Sequence, residues 1–298
     1  MQFLLGLLLS TLIGFVAYRR GSLSKSGVVG AILIGTLIFG LGGWVWGVLL
    51  VVFFVSSSAL SHYKRTLKAS LAEKFSKGHQ RDLAQTLANG GAGALIVVTY
   101  SLVPHLVPRP MLWVAFVGAM AAVNADTWAT ELGVLSKTKP RHILTGKEVE
   151  TGTSGGITSV GTVAAFAGSA LIAVLGGFNA LHSVAYEMLR YPNEPYTVNY
   201  MYVSNLYRFD TLTFLVALAA GTAGGISGSL FDSMLGATAQ AMYYCDHCRK
   251  ETERHPIHTC SNPTHQLRGW RWLDNDWVNF LSSVVGAGVA GGVWLLAR

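Results

Sequence analysis

The sequence predicts an all-α fold: a polytopic transmembrane helical bundle of about eight helices, with one small cytoplasmic Cys/His loop. Three observations carry that expectation. Hydrophobic residues make up 51% of the 298 positions and charged residues only 12%, the balance of a chain whose solvent is largely lipid. Apolar runs of spanning length recur from end to end, and lysines and arginines collect between the runs rather than within them. Residues 1–298 therefore read as a single polytopic membrane domain, with 243–272 a cytoplasmic loop inside it.

The runs fall at about residues 2–18, 28–41, 43–60, 86–103, 111–133, 156–176, 212–240 and 277–296. The first has no basic region before it and Arg19 and Arg20 directly after it. That is the wrong order for a cleaved signal peptide, so it reads as a helix. From Val28 to Leu60 the chain could be one long tilted helix or two short ones broken at GLGGW, Gly40 to Trp44. Charge decides between them. Basic residues cluster at Arg19 to Lys25, Lys64 to Arg81, Lys137 to Lys147 and Arg249 to Arg271. Two helices put all four clusters on one face, as the positive-inside rule demands, and one helix would split the first two. The basic face is then cytoplasmic at the plasma membrane, with both termini outside. The connection at 177–211, rich in tyrosine (Tyr186, Tyr191, Tyr196, Tyr200, Tyr202, Tyr207), is external and interfacial. The net charge of +7 belongs to the cytoplasmic loops, where it attracts anionic headgroups and phosphorylated substrates. It carries no nucleic-acid signature, since aromatic and basic residues do not interleave.

Four polar stretches interrupt the oil: RDLAQTLANGG (81–91), NADTWATELG (124–133), GGISGSLFDSMLG (224–236) and WLDNDWVNFLSS (272–283). Under this topology each lies at the cytoplasmic end of its helix. Ionisable groups in a span cost several kcal/mol and are commonly functional, although a pair at a helix end can simply be wetted by headgroups. At 100° per residue, Asn124, Thr127 and Glu131 share one stripe and Asp126 and Thr130 another. One straight helix cannot aim both carboxylates at one point: either they meet different neighbouring helices, or the helix is unwound. Gly225, Gly228, Ser229, Asp232 and Gly236 follow helical spacing and suit a close seam with Asp232 in its middle. Gly118 to Asp126 echoes the spacing of Gly224 to Asp232. Asn275, Asn279, Ser282, Ser283 and Gly286 form a further stripe, with Asp274 and Asp276 at the helix mouth, where at least one should serve as a cap.

Between the fifth and sixth helices a basic loop (Lys137, Lys139, Arg141, Lys147) leads into TGTSGG, Thr151 to Gly156, before a helix start. Glycines at a helix N-terminus can expose N–H groups as a phosphate cradle. The spacing is not that of a Walker A loop, and such a loop is often only a loop. Its interest lies in sharing a face with the carboxylates, since carboxylates beside cations suit metal-assisted phosphoryl transfer.

Together ADTWATELG, TGTSGGITSVGT, GSLFDSMLGATAQ and LDNDWVNFLSS resemble the integral membrane family filed as domain of unknown function 92, from about Arg19 to the C-terminus. Plant members of that family are phytyl-phosphate kinases, and more distantly it is similar to the phytol and dolichol kinases, which commonly use CTP. The resemblance implies a membrane-embedded, Mg²⁺-dependent kinase. It would move phosphate from a nucleoside triphosphate, CTP or another, to an isoprenyl monophosphate of the phytyl, geranylgeranyl or farnesyl class, giving the diphosphate. On that reading Asp126, Glu131 and Asp232 are catalytic. Arg81, Asn89, Asn124 and Lys147, then Thr153, Ser154, Gly155 and Gly156, then Asn275, Asp276 and Asn279 contact substrate or phosphate. The partners are the bilayer, the isoprenyl phosphate and the nucleotide, with room for a homodimer.

All three cysteines fall in CDHCRKETERHPIHTC. With four histidines nearby, the C-x-x-C and H-x-C pairs can supply a Cys₃His zinc site, for which Cys245, Cys248, His258 and Cys260 are the expected ligands. Free thiols or a redox pair are the alternatives, and a cytoplasmic setting disfavours a disulfide. A closed zinc site would be structural. The competing functional class is a membrane transporter of an anionic or phosphorylated small molecule, which also uses broken helices and intramembrane acids, but near the midplane. A zinc-stapled scaffold would need no carboxylates at all.

Overall fold

The computed structural model describes residues 1–68, 80–103, 107–190 and 196–297, with 179–190 and 196–213 described by backbone alone. Its long helices are α1 (Gln2–Arg19), α2 (Lys25–Leu37), α3 (Trp44–His62), α5 (Leu83–Leu102), α6 (Arg109–Gly133), α7 (Ser159–Arg190), α8 (Tyr196–Thr238) and α9 (Asn275–Leu296), with one turn, α4 (Arg65–Lys68), after α3. Among the described residues seven helices are long and apolar enough to cross a membrane, and α5 falls outside that set. Gln85, Asn89 and three glycines lower its hydropathy, and it packs inside the bundle against α2, α6 and α9. The side chains of the six tyrosines expected at the outer interface, together with Lys74 and Lys77, lie outside the described residues.

The GLGGW stretch separates two helices. α2 runs into a π-helical turn, Ile38–Gly42, and Gly43 at φ +91° redirects the chain before Trp44 opens α3, a backbone setting that only glycine takes without strain. The basic connections accordingly meet at one end of the bundle. Ser24 N donates to Arg81 O and Arg81 N to Ser22 O, both at 3.0 Å, while Lys68 reaches Glu131 and Ser154 reaches Gln240.

Helices that start at this polar end are capped by short polar side chains. Ser24 accepts from Gly27 N at 3.1 Å, and Asp82 and Gln85 form a capping box. Thr158 Oγ1 accepts from Gly161 N at 3.0 Å, and Asp274 accepts from the amides of Asp276 and Trp277, each at 3.1 Å. Each cap satisfies an otherwise orphan helix N–H where water and backbone compete. α6, which starts at the opposite end, begins instead at Pro108-Arg109-Pro110.

α6 is the hub, in contact with α3, α5, α7, α8 and α9. Its Phe116, Val117, Met120 and Ala121 are fully buried against Trp46, Leu49, Phe53 and Ile172. In lipid, helix association draws on dispersion and close backbone approach rather than release of water, so small residues mark the tightest seam. A Cβ on Gly118 of α6 would stand 2.5 Å from Gly286 O of α9, and one on Gly224 of α8 would stand 3.2 Å from Gly118 Cα. Three helices thus cross at three glycines.

The polar end carries two small antiparallel sheets. β1 (Arg141–His142) pairs with β2 (Gly156–Ile157), and β3 (Met242–Cys245) lies between β4 (Lys250–Thr252) and β5 (His265–Arg268). The stretch 243–272 is therefore a loop organised around a small three-stranded sheet, tied to the end of α8 by Arg268 Nη1 donating to Gly236 O at 2.8 Å. Beyond it Trp270, Trp272 and Trp277 are exposed, amphipathic rings of the kind that settle at the headgroup layer.

Candidate functional site

A cavity of about 1260 Å³ opens at the polar end, walled by the ends of α3 and of α5 to α9, the 139–158 loop and the β3–β4 hairpin. Eleven of the expected site residues line it: Arg81, Asn89, Asp126, Glu131, Thr153, Ser154, Gly155, Gly156, Asp232, Asn275 and Asn279. Asn124, Lys147 and Asp276 do not.

The two acids of α6 diverge as the 100° step requires, because α6 stays helical through both of them. Glu131 turns to α3 and α4: Ser61 Oγ donates to Oε1 at 2.5 Å and Lys68 Nζ to Oε2 at 2.6 Å. Both of its oxygens are therefore engaged, which makes Glu131 an anchor for Lys68 on the cavity wall. Asp126 turns instead to α8. It lies eight residues beyond Gly118, and Asp232 lies eight beyond Gly224. α6 and α8 run in the same direction from that glycine contact, and eight residues rise about 12 Å on each. The two aspartates arrive at one level, close enough for the charge of Asp126 to act on Asp232, with Glu253 adding its own there. Ser282 Oγ donates to Asp232 Oδ2 at 3.3 Å.

Cations face these acids. Arg81 donates to Ser58 Oγ at 2.9 Å and lies over the Phe54 ring at 5.7 Å. Burial draws its pKa down while the charge of Glu131 opposes the shift. Lys139, Arg249 and Lys250 are on the wall as well.

The TGTSGG loop is more closed than its composition suggests. Thr153 N bonds to Glu150 O and Gly156 N to Thr153 O, at 3.1 and 3.0 Å, and Thr158 already caps α7. The loop meets the cavity less as a bare cradle of amides than through side chains, chiefly Ser154, whose Oγ donates to Gln240 Oε1 at 2.8 Å. Gly155, at φ +81°, lets the loop press on α8, since a Cβ there would stand 2.5 Å from that of Ala237.

Three of the residues expected to contact substrate lie off the cavity wall. Asn124 is fully buried: its Nδ2 donates to Gly168 O at 2.8 Å, and its Oδ1 accepts from Ser56 at 3.1 Å and Ser57 at 3.4 Å. It ties α3, α6 and α7 together. Lys147 is exposed in the turn where His142 N donates to Lys147 O at 2.8 Å, and Asp276 sits in the first turn of α9, off the cavity wall. Conversely, Ser61, Lys68, Gln240 and Glu253 line the cavity without having been singled out. In sequence they are ordinary polar residues, and only their tertiary partners mark them.

The cavity also reaches sideways. α7 and α8 touch closely at Ser169 and Gly225, but nearer the polar end Thr162 and Phe166 of α7 and Ile226 and Leu230 of α8 line the cavity. Phe166 is 56% exposed and Leu230 41%, so this wall is continuous with the outer, apolar surface of the bundle.

On the far side of the β3–β5 sheet the sulfurs of Cys245, Cys248 and Cys260 and a ring nitrogen of His258 all lie within 4.8 Å of one another. Cys245 Sγ is 3.6 Å from Cys260 Sγ, and His258 Nδ1 is 3.3 Å from Cys260 Sγ. A tetrahedral centre with metal–sulfur bonds of about 2.3 Å sets its sulfurs about 3.8 Å apart. This group could hold a metal ion. Of the other nearby histidines, His255 stacks on Tyr243 at 4.3 Å and His265 pairs with Asp246 at 3.1 Å, while His247 Nδ1 lies 3.9 Å from Cys248 Sγ. Hydrogen bonds from Asn262 and His258 draw the Cys260 thiol down to about 5, whereas its bond with Cys260 pushes Cys248 up to about 11.

Fold and cavity define a class: an integral membrane protein of the all-α type, with an acid- and cation-lined chamber at one end of the bundle. Within that class the chain belongs to the family described as Integral membrane protein DUF92, whose model matches residues 8–287. It is similar to Protein PGR of Arabidopsis thaliana, 30% identical over 292 residues, covering 94% of this chain and 92% of the relative. Uncharacterized membrane protein MJ0933 of Methanocaldococcus jannaschii is 28% identical over 231 residues, 78% of this chain and 80% of that one. Uncharacterized membrane protein sll0875 of Synechocystis sp. is 24% identical over 271 residues, 89% and 80%. No solved structure matches the chain.

Proposed function

We propose that the chain is a membrane-embedded kinase, working at the cytoplasmic face of the plasma membrane, that transfers the terminal phosphoryl group of a nucleoside triphosphate to an isoprenyl monophosphate. The observation that carries this reading is one cavity with two kinds of wall: Asp126, Asp232, Arg81 and Lys139 on its polar side, Phe166 and Leu230 on the side facing lipid. A phosphate on an apolar chain needs both. The resemblance to phytyl-phosphate kinases supplies the substrate class.

Asp126 and Asp232, with Glu253 alongside, offer the hard oxygen donors that fit Mg²⁺ shared with nucleotide phosphates. Bound there, Mg²⁺ would neutralise charge on the transferring group. The chain's own residues do the rest. Two like charges side by side in an apolar bundle repel, so a cation favours the folded site as well as the reaction. Arg81 and Lys139 draw the phosphates in, and Ser61 and Lys68 hold Glu131 as a fixed negative group behind Arg81. In the transfer, an oxygen of the acceptor phosphate attacks the γ-phosphorus, the bond to the β-phosphate oxygen breaks, and a nucleoside diphosphate leaves. A phosphate acceptor is already ionised near pH 7, its second pKa being about 6. The reaction therefore needs no general base, and among the described residues the cavity is lined by carboxylates and cations.

Against a transporter stands the position of the acids. They lie at one end of helices that continue unbroken through them, whereas transporter sites are commonly built on discontinuous helices near the midplane. The deciding experiment incubates purified protein with Mg²⁺, each nucleoside triphosphate and a panel of prenyl monophosphates, and separates the products. Formation of a prenyl diphosphate is expected. No product with any pair would overturn the kinase reading.

A further inference from the structure

We propose that Cys245, Cys248, His258 and Cys260 form a zinc-class metal site that locks the register of the β3–β4 hairpin, and so holds Glu253 over the cavity as a third carboxylate beside Asp126 and Asp232. The donor set itself points to the metal. Three thiols and one imidazole converge with the spacing of a tetrahedral centre, a soft ligand set suited to zinc and ill suited to magnesium or calcium. All three cysteines are free thiols.

The position of the site in the sheet gives it a task. β3 and β4 pair as Tyr243 with Thr252, Tyr244 with Glu251 and Cys245 with Lys250. Side chains alternate along a strand. Met242, Tyr244, Glu251 and, just past the end of β4, Glu253 line the cavity, while Tyr243, Cys245 and Thr252 are buried and off its wall; Lys250, beside the turn, reaches the cavity although it pairs with Cys245. Slipping the hairpin by one residue would exchange the faces and turn Glu253 away. Strands of four and three residues bury too little to fix a register by themselves. A metal gripping Cys245 at the end of β3, Cys248 in the turn and the later His258 and Cys260 fixes it from outside the cavity.

Glu253 passes the constraint on. Gln240 Nε2 donates to Glu253 Oε1 at 2.9 Å, and Gln240 Oε1 accepts from Ser154 Oγ at 2.8 Å. The metal-held hairpin is thereby tied to the TGTSGG loop, and Glu253 acts on Asp232 by its charge. Unlike the thiols, none of these groups belongs to the metal site, so metal occupancy and cavity geometry are separable measurements.

The test uses full-length protein in detergent, from cells grown with zinc. Elemental analysis should find about one zinc per chain, as a single tetrahedral centre requires, and Cys248→Ser should lose it. Because that variant could fail to fold, zinc is also stripped from folded wild type with a thiol-reactive mercurial and a chelator, and hydrogen exchange is read before and after. Exchange should quicken at 242–253 and at 151–156, stay unchanged in α6 and α9, and recover on adding zinc. A metal-free wild type, or one with a Cys245–Cys260 disulfide, overturns the proposal, as does zinc loss without faster exchange at 242–253. Neither arm needs turnover, so the kinase reading can fail while the clasp stands. The role of Glu253 rests on the cation site proposed above and is read by Mn²⁺ binding: Glu253→Ala should keep its zinc and weaken Mn²⁺ by about tenfold. Unchanged Mn²⁺ affinity overturns that role, and wild type that binds no Mn²⁺ overturns it together with the cation site.

Discussion

Replacing Glu131 by glutamine removes one charge and almost no volume, and it leaves Lys68 facing a neutral amide. The Lys68 side chain is 6% exposed and that of Glu131 20%, and their charged ends are 2.6 Å apart. Removing one member of a buried ion pair costs about 3–5 kcal/mol, because the other is stranded. Lys68 keeps its bond to Leu60 O at 2.8 Å and the pair borders an open cavity, so the lower end, about 3 kcal/mol, is expected. Lys68→Met combined with Glu131→Gln strands no charge and should recover about 1–3 kcal/mol of that loss, a coupling of the size seen between contacting residues. The assay is reversible unfolding in mixed detergent, followed by tryptophan fluorescence, for wild type, both single variants and the double. Turnover per folded molecule should stay within about tenfold of wild type, one decade being only about 1.4 kcal/mol of barrier. If Glu131→Gln unfolds like wild type yet loses turnover by about 10²–10³, the scale of a removed transition-state contact, Glu131 takes part in the chemistry and the anchoring argument is wrong.

Asp126→Asn and Asp232→Asn should behave in the opposite way. Each relieves repulsion between neighbouring charges, so unfolding should be unchanged or later, while phosphoryl transfer falls by about 10²–10³; wild-type turnover in both would remove them from the site. Gly286→Ala puts a Cβ 2.6 Å from that of Ala122 and 2.8 Å from Gly118 O, contacts that cannot swing aside, and should destabilise by about 1–3 kcal/mol in the same unfolding assay. In zinc-stripped protein, hydrogen bonds from Asn262 and His258 that draw the Cys260 thiol down should leave it the more reactive thiol, and Cys248, pushed up, the less. Iodoacetamide followed by peptide mapping should therefore find Cys260 alkylated first and its rate holding to lower pH than that of Cys248; equal rates would contradict the hydrogen-bonding pattern. A cysteine at Thr138, exposed at the polar end, should react with an impermeant label from the cytoplasm alone, and labelling from outside would invert the orientation.

Much of the bundle was legible because lipid imposes simple rules. A carboxylate in an apolar run stands out, so Asp126 and Asp232 were visible by contrast, and positive charge chose two helices over one at Gly40 to Trp44. Partners were not legible. A helical wheel puts Asn124 and Glu131 on one stripe, but it cannot say that α3 and α7 absorb every polar atom of Asn124, or that Lys68, an unremarkable lysine in a basic run, takes Glu131. Lys147 looked useful because it precedes the glycine loop, yet it is exposed in the turn closed by His142 N on Lys147 O. Glu253 carried no signal, since its place depends on strand alternation in a segment too short to announce itself as a sheet.

The glycine crossing of α6, α8 and α9 also makes the site a lever. Both aspartates ride at the ends of stiff arms about 12 Å long measured from the contact of Gly118 with Gly224. A change of about 5° in the angle between those arms moves their tips by about 1 Å, enough in a positioned active site to alter rate by as much as 10²-fold. Helix tilt answers to bilayer thickness. The span between Asp126 and Asp232 should therefore act as a thickness gauge, with turnover in reconstituted vesicles peaking at one acyl-chain length and falling on either side of it, though the surrounding bilayer lipid takes no part in the chemistry itself.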